Sequence, residues 1–176
     1  VGFMKESIMQ RFPEVRFIEN ERYDETNTSK SLLKALNQIN EEDVVWMNGD
    51  VVMDENVLAR VIQSEYSCMA VNTSSVADEE VKYHLNSNGF IDEVSKTVRR
   101  PLGEAIGVNK VLKAELPLFI DKLHQCTDND YFEKGLETAI QAGMLLEAVD
   151  VSDLMCVEID FRDDLDRANS ILNGTV

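Results

Sequence analysis

The chain has 176 residues, 44% of them hydrophobic and 28% charged, enough to bury a core without disulfides or a structural metal. Seventeen Lys and Arg stand against 33 Asp and Glu, a formal net charge of −16. That balance excludes the basic footprint of a nucleic-acid or anionic-membrane surface, but not a small anionic substrate held at a locally positive site. Cys68, Cys126 and Cys156 are odd in number, widely spaced and without a CxxC pair, as expected of reduced thiols in a cytoplasmic protein. No stretch reaches the apolar length of a transmembrane helix.

Val15–Glu19 is β-prone, and a polar loop follows from Asn20 to Thr28. Leu32, Ala35, Leu36 and Ile39 then mark one helical face, with Thr28 or Ser29 as N-cap. Asp43–Met47 is a continuous apolar run, the pattern of a buried parallel strand, and Asn48-Gly49-Asp50 breaks it. Asp54 is placed to cap a helix with the face Val57, Leu58, Val61, Ile62, and Ser67–Val71 is a short strand. Lys82–Leu85 and Phe90–Val94 flank Asn88-Gly89 and predict a β-hairpin, with Ala105–Val111 as a further strand. The last third alternates. Helices are predicted over Leu116–Gln125 and Tyr131–Ala142, the second capped by Asp130 and ended by Gly143. Strands Leu145–Val149 and Met155–Ile159 follow, then a helix over Asp163–Leu172. This order predicts an α/β domain with a mixed, mostly parallel sheet, flanking helices and a small hairpin insertion.

Ligands of open α/β sheets bind outside the carboxyl ends of the strands. Asp50 and Asp160 each follow an apolar run and so stand at such ends. Two converging carboxylates make an oxygen site for Mg²⁺. Either Asp alone is more often a turn former or a helix cap, and composition leaves the pair near even. His84 and His124 are the only histidines and have no ligand-spaced partner, which disfavours a zinc site or a Ser-His-Asp triad. Lys96, Arg99, Arg100 and Lys110 form the one basic cluster, readable as a phosphate clamp or as a solvated strand end.

Five segments in order resemble the choline-phosphate and inositol-phosphate cytidylyltransferases of the sugar-nucleotide pyrophosphorylase superfamily. Asn20, Tyr23, Thr26, Asn27, Ser31 and Leu32 are similar to an N-x-x-Y-x-x-T-N-x-x-S-L stretch. Asn48-Gly49-Asp50 resembles the strand-terminal x-G-D with its metal aspartate, and Val94-Ser95-Lys96 the lysine segment. Gly103-Glu104-Ala105-Ile106-Gly107 resembles the G-E-x-x-G strand of the acceptor pocket. Glu158-Ile159-Asp160 with Asp163-Asp164-Leu165 is similar to E-I-D-T-x-x-D-L, whose first Asp is the second metal ligand; Phe161 stands where that pattern has Thr.

The resemblance implies a Rossmann-like, glycosyltransferase-A-like fold, with residues 1–176 as a single nucleotidyltransferase-like domain. It also implies that the family's N-terminal strand and Gly-rich phosphate loop are absent, Val1-Gly2-Phe3 matching the strand that follows them. The implied reaction joins a nucleoside monophosphate from an NTP, CTP by resemblance, to a phosphorylated small alcohol or sugar, releasing pyrophosphate. Asp50 and Asp160 would hold Mg²⁺. Lys96 would meet the acceptor phosphate, Glu104 its hydroxyl or ammonium groups, and Asn27 and Tyr23 would lie near the substrate mouth. The chain alone is expected to turn over poorly and to self-associate. Its partners would be small molecules, with no nucleic acid and no membrane. Two other functions remain open: a non-catalytic relative with a binding or assembly role, and a metal-dependent glycosyltransferase. The three residues between Asp50 and Asp54 argue against the second.

Overall fold

The computed structural model describes residues 1–39, 41–74, 76 and 80–173. In chain order the elements are α1 Lys5–Arg11, α2 Thr28–Leu36, β1 Val44–Met47, β2 Val51–Met53, α3 Glu55–Gln63, β3 Ser67–Asn72 and β4 Lys82–Leu85. Then come β5 Ile91–Ser95, β6 Gly103–Val111, α4 Leu116–Gln125, α5 Phe132–Gln141, β7 Leu146–Asp150, β8 Cys156–Glu158 and α6 Arg162–Leu172. They fall into two units, each built from two stretches of chain: Val1–Glu42 with Lys113–Met144, and Asp43–Leu112 with Leu145–Val176.

The first unit is helical. α2 buries Leu33 and Leu36, flanked by the half-buried Leu32, Ala35 and Ile39. Asn27, one residue before the expected caps, is the N-cap, its side chain accepting from the Thr28 amide. α4 carries Pro117 in its first turn, where no intrahelical amide is lost, and buries Leu116, Phe119 and Leu123. α5 buries Phe132, Leu136 and Ala139. Its N-cap is Tyr131, and the expected cap, Asp130, instead accepts from the amide and hydroxyl of Thr127. Those two bonds hold the Asp130 carboxyl below the usual range. Val15–Glu19 is not a strand: Val1 donates to the Ile18 carbonyl within it and accepts from the Asn20 amide just beyond it, too few bonds for a ladder. α1 was not foreseen, and none of its residues is buried.

The resemblance motif of this unit is a hydrogen-bonded knot. Asn20 is 3% exposed. Its amide nitrogen donates to Thr26 Oγ1 and Ser31 Oγ, both at 2.9 Å, and its oxygen accepts from the Arg22 amide. The pattern N…T…S therefore pins the 20–27 loop to the first turns of α2.

The second unit holds a six-stranded mixed sheet in the order β5-β4-β6-β3-β7, with β1 sharing the β4 edge of β6. β1, β3, β4 and β7 run in one direction and β5 and β6 in the other. The parallel character lies in those directions rather than in the ladders: β3–β7 is parallel, and the other described pairings of this sheet are antiparallel. β1 in particular is an antiparallel partner of β6, and its burial fades from Val44 to Met47, as on an edge. The hairpin forms as predicted, with β4 and β5 joined through Asn86–Gly89. α3, capped by Asp54, packs Val57 and Val61 against Cys68, Ala70, Ile106 and Val108; Ile62, expected on that face, is exposed. β2, not foreseen, pairs antiparallel with β8 in a separate two-stranded sheet.

Candidate active site

The β2–β8 pair brings the two strand-end acids together. Val51 faces Glu158, and the ladder continues one step, the Ile159 amide donating to the Asp50 carbonyl at 3.0 Å. The Asp54 amide closes the other end on the Met155 carbonyl at 2.8 Å. Carboxylate oxygens of Asp50, Glu158 and Asp160 consequently lie within 4.8 Å of one another. Glu158 was not among the expected site residues. Its signal was available: residues i and i+2 of an extended strand share a face, so Glu158 accompanies Asp160.

Asp160 does not cap the last helix. The N-cap of α6 is Phe161, whose amide donates to Asp164 Oδ2 at 2.8 Å. Asp54 stands at the opposite end of β2 from Asp50, and its Oδ1 accepts from the amide and side chain of Asn56 at 2.8 and 2.7 Å.

From the acidic end a cleft of about 350 Å³ opens along the sheet. Its polar lining comprises Asn72, Glu80, Glu104, Ser152, Glu158, Asp160, Asp164 and Arg167. Glu104 reaches it from β6, where it stands between Lys82 and Asn72 in register and accepts from Asn72 Nδ2 at 3.5 Å. Burial pushes the Glu158 carboxyl up, and Glu80, Asp50 and Asp160 push it further, against a hydrogen bond from Asn48 that lowers it. Burial also raises Glu80, together with Glu104 and Asp160. Like charges gathered at one place concentrate negative potential there, and a bound cation relieves such a potential.

The donor set fits such an ion. Mg²⁺ takes oxygen ligands at about 2.0–2.1 Å, so opposite ligands of one ion stand about 4.2 Å apart, and about 5 Å apart for Ca²⁺. Three hard carboxylates within 4.8 Å need only small side-chain rotations to share either.

The basic cluster of the sequence does not act as one. Lys110 is 4% exposed, and its ammonium donates to the carbonyls of Ile62 and Ser64 behind α3. Lys96 follows β5, and its carbonyl accepts from buried Lys82, which also donates to Glu80 O. Lys96 and Lys82 lower the Glu80 carboxyl, which puts both ammonium groups within electrostatic reach of the cleft, though neither lines it. Arg167, which sequence reasoning did not single out, does line it. His84 sits on β4, 2.9 Å from Asp92, and His124 is exposed on α4.

Asn27 and Tyr23 belong to the other unit. Asn27 caps α2 and donates to the Asn129 carbonyl, and Tyr23 packs over Gly2 and against Phe3, ring centroids 6.4 Å apart. Among the described residues no helix is long and apolar enough to cross a membrane.

Three solved structures similar to this chain are named as nucleotide transferases. The inositol-1-phosphate CTP transferase from T. maritima aligns with a TM-score of 0.76 at 17% identity, over 96% of this chain and 72% of its own. The CTP:phosphocholine cytidylyltransferase from Streptococcus pneumoniae aligns with 0.73 at 14% identity, over 97% and 75%. A glucose-1-phosphate thymidylyltransferase, so described, from Bacillus anthracis aligns with 0.67 at 12% identity, over 96% and 71%. At these identities the likeness shows the fold, which is the Rossmann-like α/β architecture of nucleotidyltransferases. No curated protein matches the sequence. One family model does, over residues 2–100, more than half of the chain, and the protein thereby belongs to the family described as "Domain of unknown function (DUF6564)".

Proposed function

We propose that this domain is a metal-dependent nucleotidyltransferase that joins a nucleoside monophosphate from an NTP, CTP in the first instance, to a phosphorylated small alcohol or sugar. The convergence of Asp50, Glu158 and Asp160 at the end of a polar cleft, on a fold shared with nucleotidyltransferases, is the observation that supports it. Such a transfer asks for positioning and charge neutralisation more than for covalent help from the protein.

Mg²⁺ bound by Asp50, Glu158 and Asp160 would supply Lewis-acid stabilisation of the charge that develops on the transferring phosphoryl group. The remaining roles fall to the chain. Arg167 offers a planar guanidinium to a phosphate entering an otherwise acidic cleft, a geometry an ammonium cannot match. Lys96 and Lys82 add positive potential behind Glu80. Glu104 and Asn72 line the wall and take hydroxyl or ammonium groups of the acceptor. Phe161, 77% exposed at the cleft edge, offers a ring face for the base or the acceptor.

The test is pyrophosphate release from CTP and other NTPs with phosphocholine, inositol phosphate and hexose 1-phosphates, using the full gene product with Mg²⁺. Turnover with at least one acceptor is expected. It should fall in Asp50→Ala and Asp160→Ala by more than the roughly 10–100-fold typical of outer-shell losses. Absence of turnover with every acceptor, or activity indifferent to both substitutions, would overturn the reading.

A further inference from the structure

The base of the β4–β5 hairpin is closed by a buried cation that lies outside every resembling segment. The ladder between the two strands ends at the pair Lys82↔Ser95. Beyond that pair lie Glu80, which lines the cleft, and Lys96. Lys82 is 9% exposed. Its ammonium donates to the carbonyl of Glu80 at 3.3 Å and to the carbonyl of Lys96 at 3.4 Å, one on each side of the base. Across β6, Lys82 stands opposite Glu104, and Glu104 stands opposite Asn72 of β3. Directly opposed residues of an antiparallel pair put their side chains on one face, with Cβ atoms about 5 Å apart. Lys82, Glu104 and Asn72 therefore form a row across three strands, and the last two line the cleft.

We infer that Lys82 is a positioning residue for the acceptor wall, tying the two ends of the hairpin base together so that Glu80 and Lys96 keep fixed places beside Glu104. The inference rests on the function proposed above, in which Glu104 and Asn72 meet the acceptor. Lysine is rarely this buried without partners, because an ammonium is costly to desolvate. Packing alone calls for no charge here: Tyr83, Ile91 and Val94 of the same hairpin are buried without one. What the charge adds is a bond to each end of the base, where the ladder has stopped. The carboxylate cluster stands on the β2–β8 pair, a sheet separate from that of β4. Losing the Lys82 ammonium should therefore disturb the acceptor and spare the metal.

The experiment measures steady-state kinetics of the full gene product with CTP and whichever of phosphocholine, inositol phosphate and hexose 1-phosphates the wild type turns over fastest. Lys82→Met keeps the stem and removes the ammonium. It should raise the acceptor KM about 10–100-fold, the worth of a charged hydrogen bond, with kcat and the CTP KM nearly unchanged. Amide hydrogen exchange should quicken over 80–82 and 96–102 and stay as it was in α3 and β7. Lys82→Arg keeps charge and donors, so its acceptor KM should fall between those of the wild type and Lys82→Met. A packing role predicts the reverse order, since Met matches the lysine stem better than Arg does. If Lys82→Met does not fold, Lys82→Gln, a shorter neutral donor, is read in its place. An acceptor KM that is unchanged, or raised no more than the CTP KM, overturns the inference and leaves the proposed function standing. Wild-type protein that turns over none of the acceptors overturns both.

Discussion

Two polar clusters of this protein come from the same set of resembling segments and behave in opposite ways. In the helical unit, Asn20 is buried and has its bonding capacity filled by Thr26, Ser31 and the Arg22 amide. In the sheet unit, Asp50, Glu158 and Asp160 converge with Glu80 and Glu104 nearby, and burial together with these neighbouring charges raises the Glu158 and Glu80 carboxyls. A polar cluster whose donors and acceptors match is architecture. A cluster made mostly of like-charged acceptors is not balanced from within in that way, and a cation or a further donor would offset its repulsion.

The comparison predicts opposite signs for removing one member from each. Asn20→Ala removes the bonds to Thr26, Ser31 and the Arg22 amide and frees the loop, at about 2–3 kcal/mol of stability, since each of the three bonds contributes about 0.5–1.5 kcal/mol. Asp160→Asn in EDTA should leave the unfolding midpoint in urea unchanged or raise it, because it removes repulsion. A stable Asn20→Ala variant, or an Asp160→Asn variant that loses stability without metal, would break the contrast.

Proton linkage separates the clusters a second way. Glu158 and Glu80 have folded values above the ordinary carboxyl value of 4.5, so the folded state binds their protons more tightly than the unfolded one. Their contribution to stability is therefore largest below that value and declines as pH rises through the window above it. Asp130 has the opposite sign. Its value is depressed, so its contribution is present above 3.8 and is lost as pH falls through the window below. Urea denaturation across pH in EDTA should show Glu158→Gln and Glu80→Gln flattening the upper window alone, and Asp130→Asn the lower one alone. Saturating Mg²⁺ should reverse the decline in the upper window. A decline that persists unchanged in Mg²⁺ would count against cation relief of the cluster.

The smallest expected effect lies between the acids and their helix. Phe161 caps α6 without a side-chain acceptor, so only the Asp164 half of the reciprocal cap is made. Phe161→Thr adds the missing half and should stabilise by about 0.5–1 kcal/mol, little being lost from a ring 77% exposed. If Phe161 also meets the base or the acceptor, the same variant raises KM while it raises the melting temperature.

Local grammar carried most of the elements. Helical spacing placed α2 and α3, Pro117 and Gly143 bracketed the pair α4 and α5, and Asn88-Gly89 placed the hairpin, because each depends on residues a few positions apart. The errors share one cause. Val15–Glu19 has strand composition but no neighbour to complete a ladder, and β1 looks like a buried parallel strand yet pairs antiparallel at an edge. Lys110 reads as part of a basic surface and is buried against two carbonyls behind α3. A strand's partner, and what lies behind a lysine, are set by residues far away in the chain.

The candidate site divides in the same way. Strand-end position and the resembling segments singled out Asp50 and Asp160 from 33 acidic residues. That they meet and that Glu158 joins them were decided by the β2–β8 ladder, which joins positions about a hundred residues apart. Sequence determines what each residue can do over the span of a turn or a strand. Convergence of charges is a property of register between strands, and register is settled only when the whole sheet finds its core.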